Sequence, residues 1–331
     1  MPKVSIIIVL SAEENVTARC LESLTAQTFN DFECLCVMSD AEKEYPTLST
    51  LSKKDKRFKI LKQIGAPTKW HCYNEALYQM KGEYALFLND NDLLHPQALD
   101  IYTDALKYSH AHVAAARPAY FVSGKKIKIF DKKIPFDKSA LKKKNNELIN
   151  EFWQENSHNI NDKLEGKMFS GELLSYLKFH PVLSEFAAYF FMEQFYGLAQ
   201  KNVFIKYPLY FYRQEAHTPS IASYETLMNL KERIAFEYAY FVEGERTNLY
   251  TESLLNHKCS QDIFHAIKHI LTHTPESSFI CINQQIITLI NEFKEVGLLK
   301  GLNLSIVQKI ILWALSSGRL PLAKKLIQIF Y

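Results

Sequence analysis

The residues best suited to chemistry are the two carboxylates of Asn89-Asp90-Asn91-Asp92. They follow an apolar run, Tyr84-Ala85-Leu86-Phe87-Leu88, and precede Leu93-Leu94-His95-Pro96, after which a helix-like pattern resumes. An apolar run that stops abruptly in small polar residues reads as a buried strand delivering acidic groups to its carboxyl end. That edge is where open α/β sheets bind ligands. The same residue types also suit a polar turn that caps the next helix, with Asp92 near its start. Asp40 closes a second apolar run in the same manner. Glu185 sits at a helix start, where the helix dipole alone stabilises a carboxylate. His265, His269 and His273 recur every fourth residue without carboxylate or cysteine company, so a polar helix face is expected there rather than a metal site.

Positioning these groups requires a sheet, and the first third of the chain reads as one. Val4–Leu10 is β-branched and almost wholly apolar, as a strand buried on both faces must be. Ala18, Leu21 and Leu24 keep helical spacing, and Phe32–Met38 is a second strand. A helix with Leu48 and Leu51, a short strand at Phe58–Leu61, a helix at Trp70–Met80 and a strand at Tyr84–Leu88 follow. The order β-α-β-α-β-α-β predicts right-handed crossovers and a Rossmann-like half. His112–Arg117 with Tyr120–Val122 reads as a strand or strand pair, and the lysine-rich stretch from Lys125 to Lys144 as a solvated loop. From Tyr224 the pattern is helical, ending in two apolar helices with scattered lysines, Ile306–Leu315 and Leu320–Tyr331.

Several short motifs, in order, resemble family 2 glycosyltransferases. They are Val4-Ser5-Ile6-Ile7-Ile8, then Cys20-Leu21-Glu22-Ser23-Leu24 with Gln27-Thr28-Phe29 and Asp31-Phe32-Glu33, and then Lys54-Asp55-Lys56-Arg57. Asn74, Gly82-Glu83-Tyr84, the acidic cluster with Pro96, and Pro208–Arg213 with Ser220-Ile221 complete the set, which covers roughly the first two thirds. The resemblance implies an α/β GT-A fold: a Rossmann-like mixed sheet flanked by helices, here with a C-terminal helical region. The expected organisation is a glycosyltransferase-like domain over 1–222, with a nucleotide-sugar half at 1–123 and an acceptor half at 124–222, and a helical domain over 223–331.

What the resemblance implies chemically is transfer of a sugar from a nucleotide-sugar donor to a glycan or glycolipid hydroxyl. In this family an acidic DxD element holds a divalent metal, Mn²⁺ or Mg²⁺, on the donor diphosphate. Carried over residue by residue, Asp90 and Asp92 would hold the metal, with His217 as a third ligand. Ser11, Asp40, Asn74, Asn89 and Asp90 would line the donor pocket. An inverting transfer needs one carboxylate to take the acceptor proton. Glu185 is the candidate base, with Glu172 and Glu193 in reserve.

The chain departs from the family where ligands would bind. Asn89 and Asn91 stand where the family usually has aspartates, so the DxD of Asp90 and Asp92 is displaced by one residue. Ser11-Ala12 replaces an aromatic turn, Asp40 is alone after its strand, and Tyr73 precedes Asn74 where the family has arginine. A catalytically degenerate module that binds a nucleotide-sugar or a partner protein is the alternative expectation.

Composition sets the remaining bounds. With 47% hydrophobic and 23% charged residues, a globular rather than disordered chain is expected. None of the six cysteines forms a CxxC pair, so buried reduced thiols and a cytoplasmic protein are expected. Met1-Pro2-Lys3 leads straight into a run too short for a signal core. Nucleic acid is not expected, because no stacking platform accompanies the lysines. The basic amphipathic end with Trp313 suggests contact with the inner face of a membrane, or a homo-oligomer contact, beside ordinary packing on the preceding helices.

Overall fold

In the computed structural model the described residues are 1–331 apart from 41, 64–66, 123–131, 146–162, 215–223, 247–248, 274–283, 285–286, 289–290, 292–304, 318 and 331. A few further side chains within helices and strands, Glu185 among them, also lie outside the description. The chain divides into two compact units. The first comprises Met1–Phe152, Ser157–Val182 and Ala187–His217; the second comprises Trp153–Asn156, Leu183–Phe186 and Thr218–Tyr331.

The first unit is built on a nine-stranded mixed sheet. Strands β1 (Val4–Leu10), β2 (Phe32–Met38), β3 (Phe58–Lys62) and β4 (Tyr84–Asn89) are parallel, in the order β3-β2-β1-β4. Helices α1 (Glu14–Thr25), α2 (Pro46–Lys54) and α3 (Lys69–Gln79) make the crossovers. Every residue of β1 and β2 is buried, which explains their unbroken apolar character. Pairing Val4 with both Phe32 and Tyr84 brings Leu10, Met38 and Asn89 to one edge of the sheet. The candidate residues lie there.

Beyond β4 the pairings are mixed, as expected. Four more strands are β5 (Leu93–Leu94), β6 (Val113–Phe121), β7 (Leu141–Asn145) and β8 (Lys167–Ser170). With β9 (Lys201–Arg213) they continue the order as β4-β8-β6-β9-β5, and β7 also pairs with β9. Strand β8 is antiparallel to both β4 and β6, β5 and β7 are antiparallel to β9, and β6 is parallel to β9. Helix α4 (Ala98–Ser109) follows β5. Of the strand or strand pair expected at 112–122, the structure shows one strand, β6, whose register against β9 shifts at Ala116, Arg117 and Ala119. The end of the lysine-rich loop is also corrected: Lys142, Lys143 and Lys144 lie in β7, antiparallel to β9, because backbone pairing satisfies a strand whatever its side chains.

Two polar features fix the opposite end of the sheet. Gly82 passes so close to Ser5 that a Cβ there would collide with the Ser5 amide. Buried Glu33 accepts from Ser5 Oγ at 2.7 Å, Lys59 Nζ at 2.6 Å and the Lys81 amide at 2.8 Å. Burial opposes ionisation of Glu33, but these donors outweigh it and hold its carboxyl below the usual range. Cys20, Cys34, Cys36, Cys72 and Cys259 are buried free thiols, and Cys281 lies outside the described residues.

The second unit is helical, with helices at Tyr224–Glu237, Leu249–His273, Ile306–Ser316 and Leu320–Phe330. Glu237 is fully buried, lies in an ion pair with Arg233 at 3.0 Å from Nε, and accepts from Lys258 Nζ at 2.9 Å. Helices Ile306–Ser316 and Leu320–Phe330 match the two apolar helices read from the sequence. The expected breaks at Thr274-Pro275 and Gly301 fall outside the described residues. Among the described residues no helix is long and apolar enough to cross a membrane.

Candidate functional site

The site forms where β1, β2 and β4 end together. After Leu10 the backbone turns, and the amides of Ser11 and Ala12 both donate to Asp90 Oδ2 at 2.6 Å. The carbonyls of the same two residues accept from Lys43 Nζ, each at 2.8 Å. The loop after β1 is therefore pinned from both sides. Ser39 Oγ donates to the Leu10 carbonyl at 2.9 Å and ties the end of β2 to β1. Asp40 lies beyond it, exposed, and accepts the Glu42 amide at 2.9 Å.

Asp92 faces the other way. Its Oδ2 accepts from the Tyr210 hydroxyl at 2.6 Å and Asn89 Nδ2 at 3.2 Å, while Oδ1 accepts the Arg213 amide at 2.7 Å. It thus locks the end of β9 to the end of β4. Burial pushes its pKa up, a nearby Glu165 adds to this, and the three donors act against both.

The amide of Asn89 bridges two charges. Nδ2 donates to Asp92, and Oδ1 accepts from Lys69 Nζ at 3.0 Å. Lys69 also reaches Glu165 Oε1 at 3.3 Å, and its ammonium lies 5.2 Å from the ring centre of Tyr73. On the side of α1, a cavity of about 230 Å³ is lined by residues including Asn15, Arg19, Asn91 and Arg213.

The predicted site residues are thus partly brought together. Ser11, Asn89, Asp90 and Asp92 share one hydrogen-bonded edge, with Asp40 next to it in the chain beyond β2. Asn74 does not face it. Its Nδ2 donates to the Phe179 carbonyl at 2.8 Å, and its Oδ1 accepts the Phe179 amide at 2.7 Å. Its neighbour Tyr73 is buried against Phe87 and Phe179, each with ring centres 5.2 Å away. Glu185 lies in the short 3₁₀ segment Pro181–Phe186, beside Ser184 at a left-handed φ of 47°. Its side chain and the whole of His217 lie outside the described residues. Of the reserves, Glu172 is exposed and Glu193 fully buried.

A divalent metal does not fit the acidic pair as it stands. Asp90 and Asp92 are 4% and 3% exposed, and three of their four carboxylate oxygens accept from N–H and O–H donors of the protein. Among the described residues no group of three or more His, Cys, Asp or Glu is arranged to hold a metal. A cation already stands at Asn89. A divalent ion about 4 Å from the Lys69 ammonium would be repelled by roughly 8 kcal/mol at an effective dielectric of about 20. In this structure Asp90 and Asp92 act as anchors of loop and strand.

In the sequence, Lys69 and His71 are the residues that could replace the family's arginine before Asn74, though such residues are more often simply on the surface, and Glu165 is not singled out. Lys69 opens α3 directly after the loop from β3, and that position is a usable signal. Glu165 precedes β8 without any motif around it.

Residues 5–161 match the family model described as Glycosyl transferase family 2. Among solved structures, the chain is similar to TarS 1-349 from S. aureus at 15% identity and a TM-score of 0.67, over 98% of this chain and 90% of that one. The same TarS fragment in complex with UDP-GlcNAc gives a TM-score of 0.64 at the same identity and coverage. No curated protein matches the sequence. Residues 5–161 therefore carry the glycosyl transferase family 2 match, and the chain as a whole shares the GT-A fold of the TarS fragment.

Proposed function

We propose that the chain transfers a sugar from a nucleotide-sugar to a hydroxyl of a glycan or glycolipid, in the building of a surface glycan such as lipopolysaccharide. The observation that carries this reading is the joined edge of β1 and β4, where Ser11, Asn89, Asp90 and Lys69 meet inside the family-matched segment. In this reading the Ser11 loop and Asp40 flank the nucleoside, and Asn89 with Lys69 faces the diphosphate. The transfer is a single inverting displacement. The acceptor oxygen bonds to the anomeric carbon, the bond to the diphosphate breaks, and Glu185 takes the acceptor proton. Family members commonly use a divalent metal, but no step here is routed through one. The protein works in the cytoplasm at the inner face of the membrane, where the exposed Ile306, Ile310 and Trp313 of one helix offer an apolar stripe. Alternatively these C-terminal helices pair two copies of the chain.

UDP-sugars are the first donors to test, because the similar TarS fragment was crystallised with UDP-GlcNAc. Release of nucleotide diphosphate is measured with and without a lipid-linked glycan extract. Acceptor-stimulated release that Glu185→Gln lowers by about 100-fold or more supports the reading. No release from any nucleotide-sugar, with binding intact, supports instead a nucleotide-sugar-binding module without turnover. The amides at Asn89 and Asn91 favour that second reading.

A further inference from the structure

The donor-site reading places a diphosphate, dense in negative charge, at the edge formed by Asn89. We infer that Lys69 supplies the positive charge for it, so that this chain holds its donor without a divalent cation. The inference rests on the donor-site reading and concerns how that same site meets its ligand.

Three observations converge on Lys69. The first is position. Its ammonium sits 3.0 Å from the Asn89 side-chain oxygen, at the residue that ends β4. The second is availability. An ammonium carries three N–H donors, and Asn89 and Glu165 take two of them. The Lys69 side chain is 39% exposed, so an arriving anion can reach it without burying a new charge. The third is the fit between substitution and lysine. An aspartate at 89 would add a second carboxylate to the one Glu165 already presents to Lys69; the amide orients the ammonium without adding negative charge where a ligand's would sit.

The surroundings hold Lys69 in place. Glu165 restrains it from one side, and the faces of Trp70 and Tyr73 lie 5.8 and 5.2 Å from its nitrogen. The carboxylates that would otherwise repel a diphosphate are screened. Asp90 is covered by two backbone amides, and Asp92 by Tyr210, Asn89 and the Arg213 amide. Lys69 is also the first residue of α3, so the positive end of that helix adds to its field.

The test uses the full chain, with UDP and GDP as probes, titrated calorimetrically in EDTA and again with Mn²⁺. One of the two nucleotides should bind in EDTA, with no more than a small gain from Mn²⁺. Lys69→Met keeps the aliphatic stem and should weaken binding by about tenfold or more; Lys69→Arg should restore most of it. Both variants should melt with the parent protein. Binding that requires Mn²⁺, or that Lys69→Met leaves unchanged in EDTA, overturns the inference while the donor site stands. Failure of both nucleotides to bind, with or without Mn²⁺, overturns the inference together with the donor-site reading.

Discussion

Replacing Asp92 separates an anchoring carboxylate from a metal ligand. Asp92→Ala removes the acceptor of two protein donors: the buried Tyr210 hydroxyl, on a residue 1% exposed, and the part-buried Arg213 amide. An orphaned buried donor costs about 1–3 kcal/mol, so a loss of about 3–4 kcal/mol is expected. The Asn89 amide adds little, since it is partly buried. The first unit is in the size range where each kcal/mol shifts Tm by about 2–4 °C, so the melt should fall by roughly 10 °C. Asp92→Asn should cost less. It retains one acceptor oxygen, and it removes a charge whose burial is unfavourable, as the raised pKa of Asp92 indicates. Thermal unfolding without metal, in EDTA, is the assay. An Asp92→Ala protein that melts with the parent in EDTA would refute the anchoring argument.

Two further outcomes follow from the same reasoning. Asn74→Ala frees both backbone groups of Phe179 and should cost about 1–3 kcal/mol in chemical denaturation; loss of nucleotide binding at unchanged stability would instead return Asn74 to the donor pocket. Glu33 should make the fold acid-sensitive. Its folded pKa is lowered, so its contribution is present above the unfolded value of about 4.3 and is lost as pH falls through the folded value. Glu33→Gln should therefore melt below the parent at neutral pH and converge with it in acid, and a constant gap across pH would contradict the linkage.

The sheet was legible because burial on both faces leaves an apolar signature. Val4–Leu10 and Phe32–Met38 match the observed strands residue for residue. The antiparallel part was less legible. Two-residue β5 is too short to leave a pattern, and β7 is paired by its backbone while its lysines read as loop. In the site, the sequence located the edge but not the direction of its side chains. Asp90 and Asp92 could be placed at a strand end from residue type alone. Their partners, the Ser11 and Ala12 amides, Tyr210 and the Arg213 amide, come from segments about 80 and 120 residues away in the chain. No local pattern encodes such partners. Lys69 was visible as a residue, but its meeting with Asn89 depends on how α3 crosses the sheet.

Strand β7 bears on how the protein behaves in a crowded solution. Among the described residues its only strand partner is β9. Unpaired strand rims nucleate edge-to-edge assembly. Exposed Lys142 adds a charge that a guest strand would have to dehydrate before gaining backbone hydrogen bonds. Such a lysine serves the sheet with no ligand in view: it discourages a neighbour from extending it.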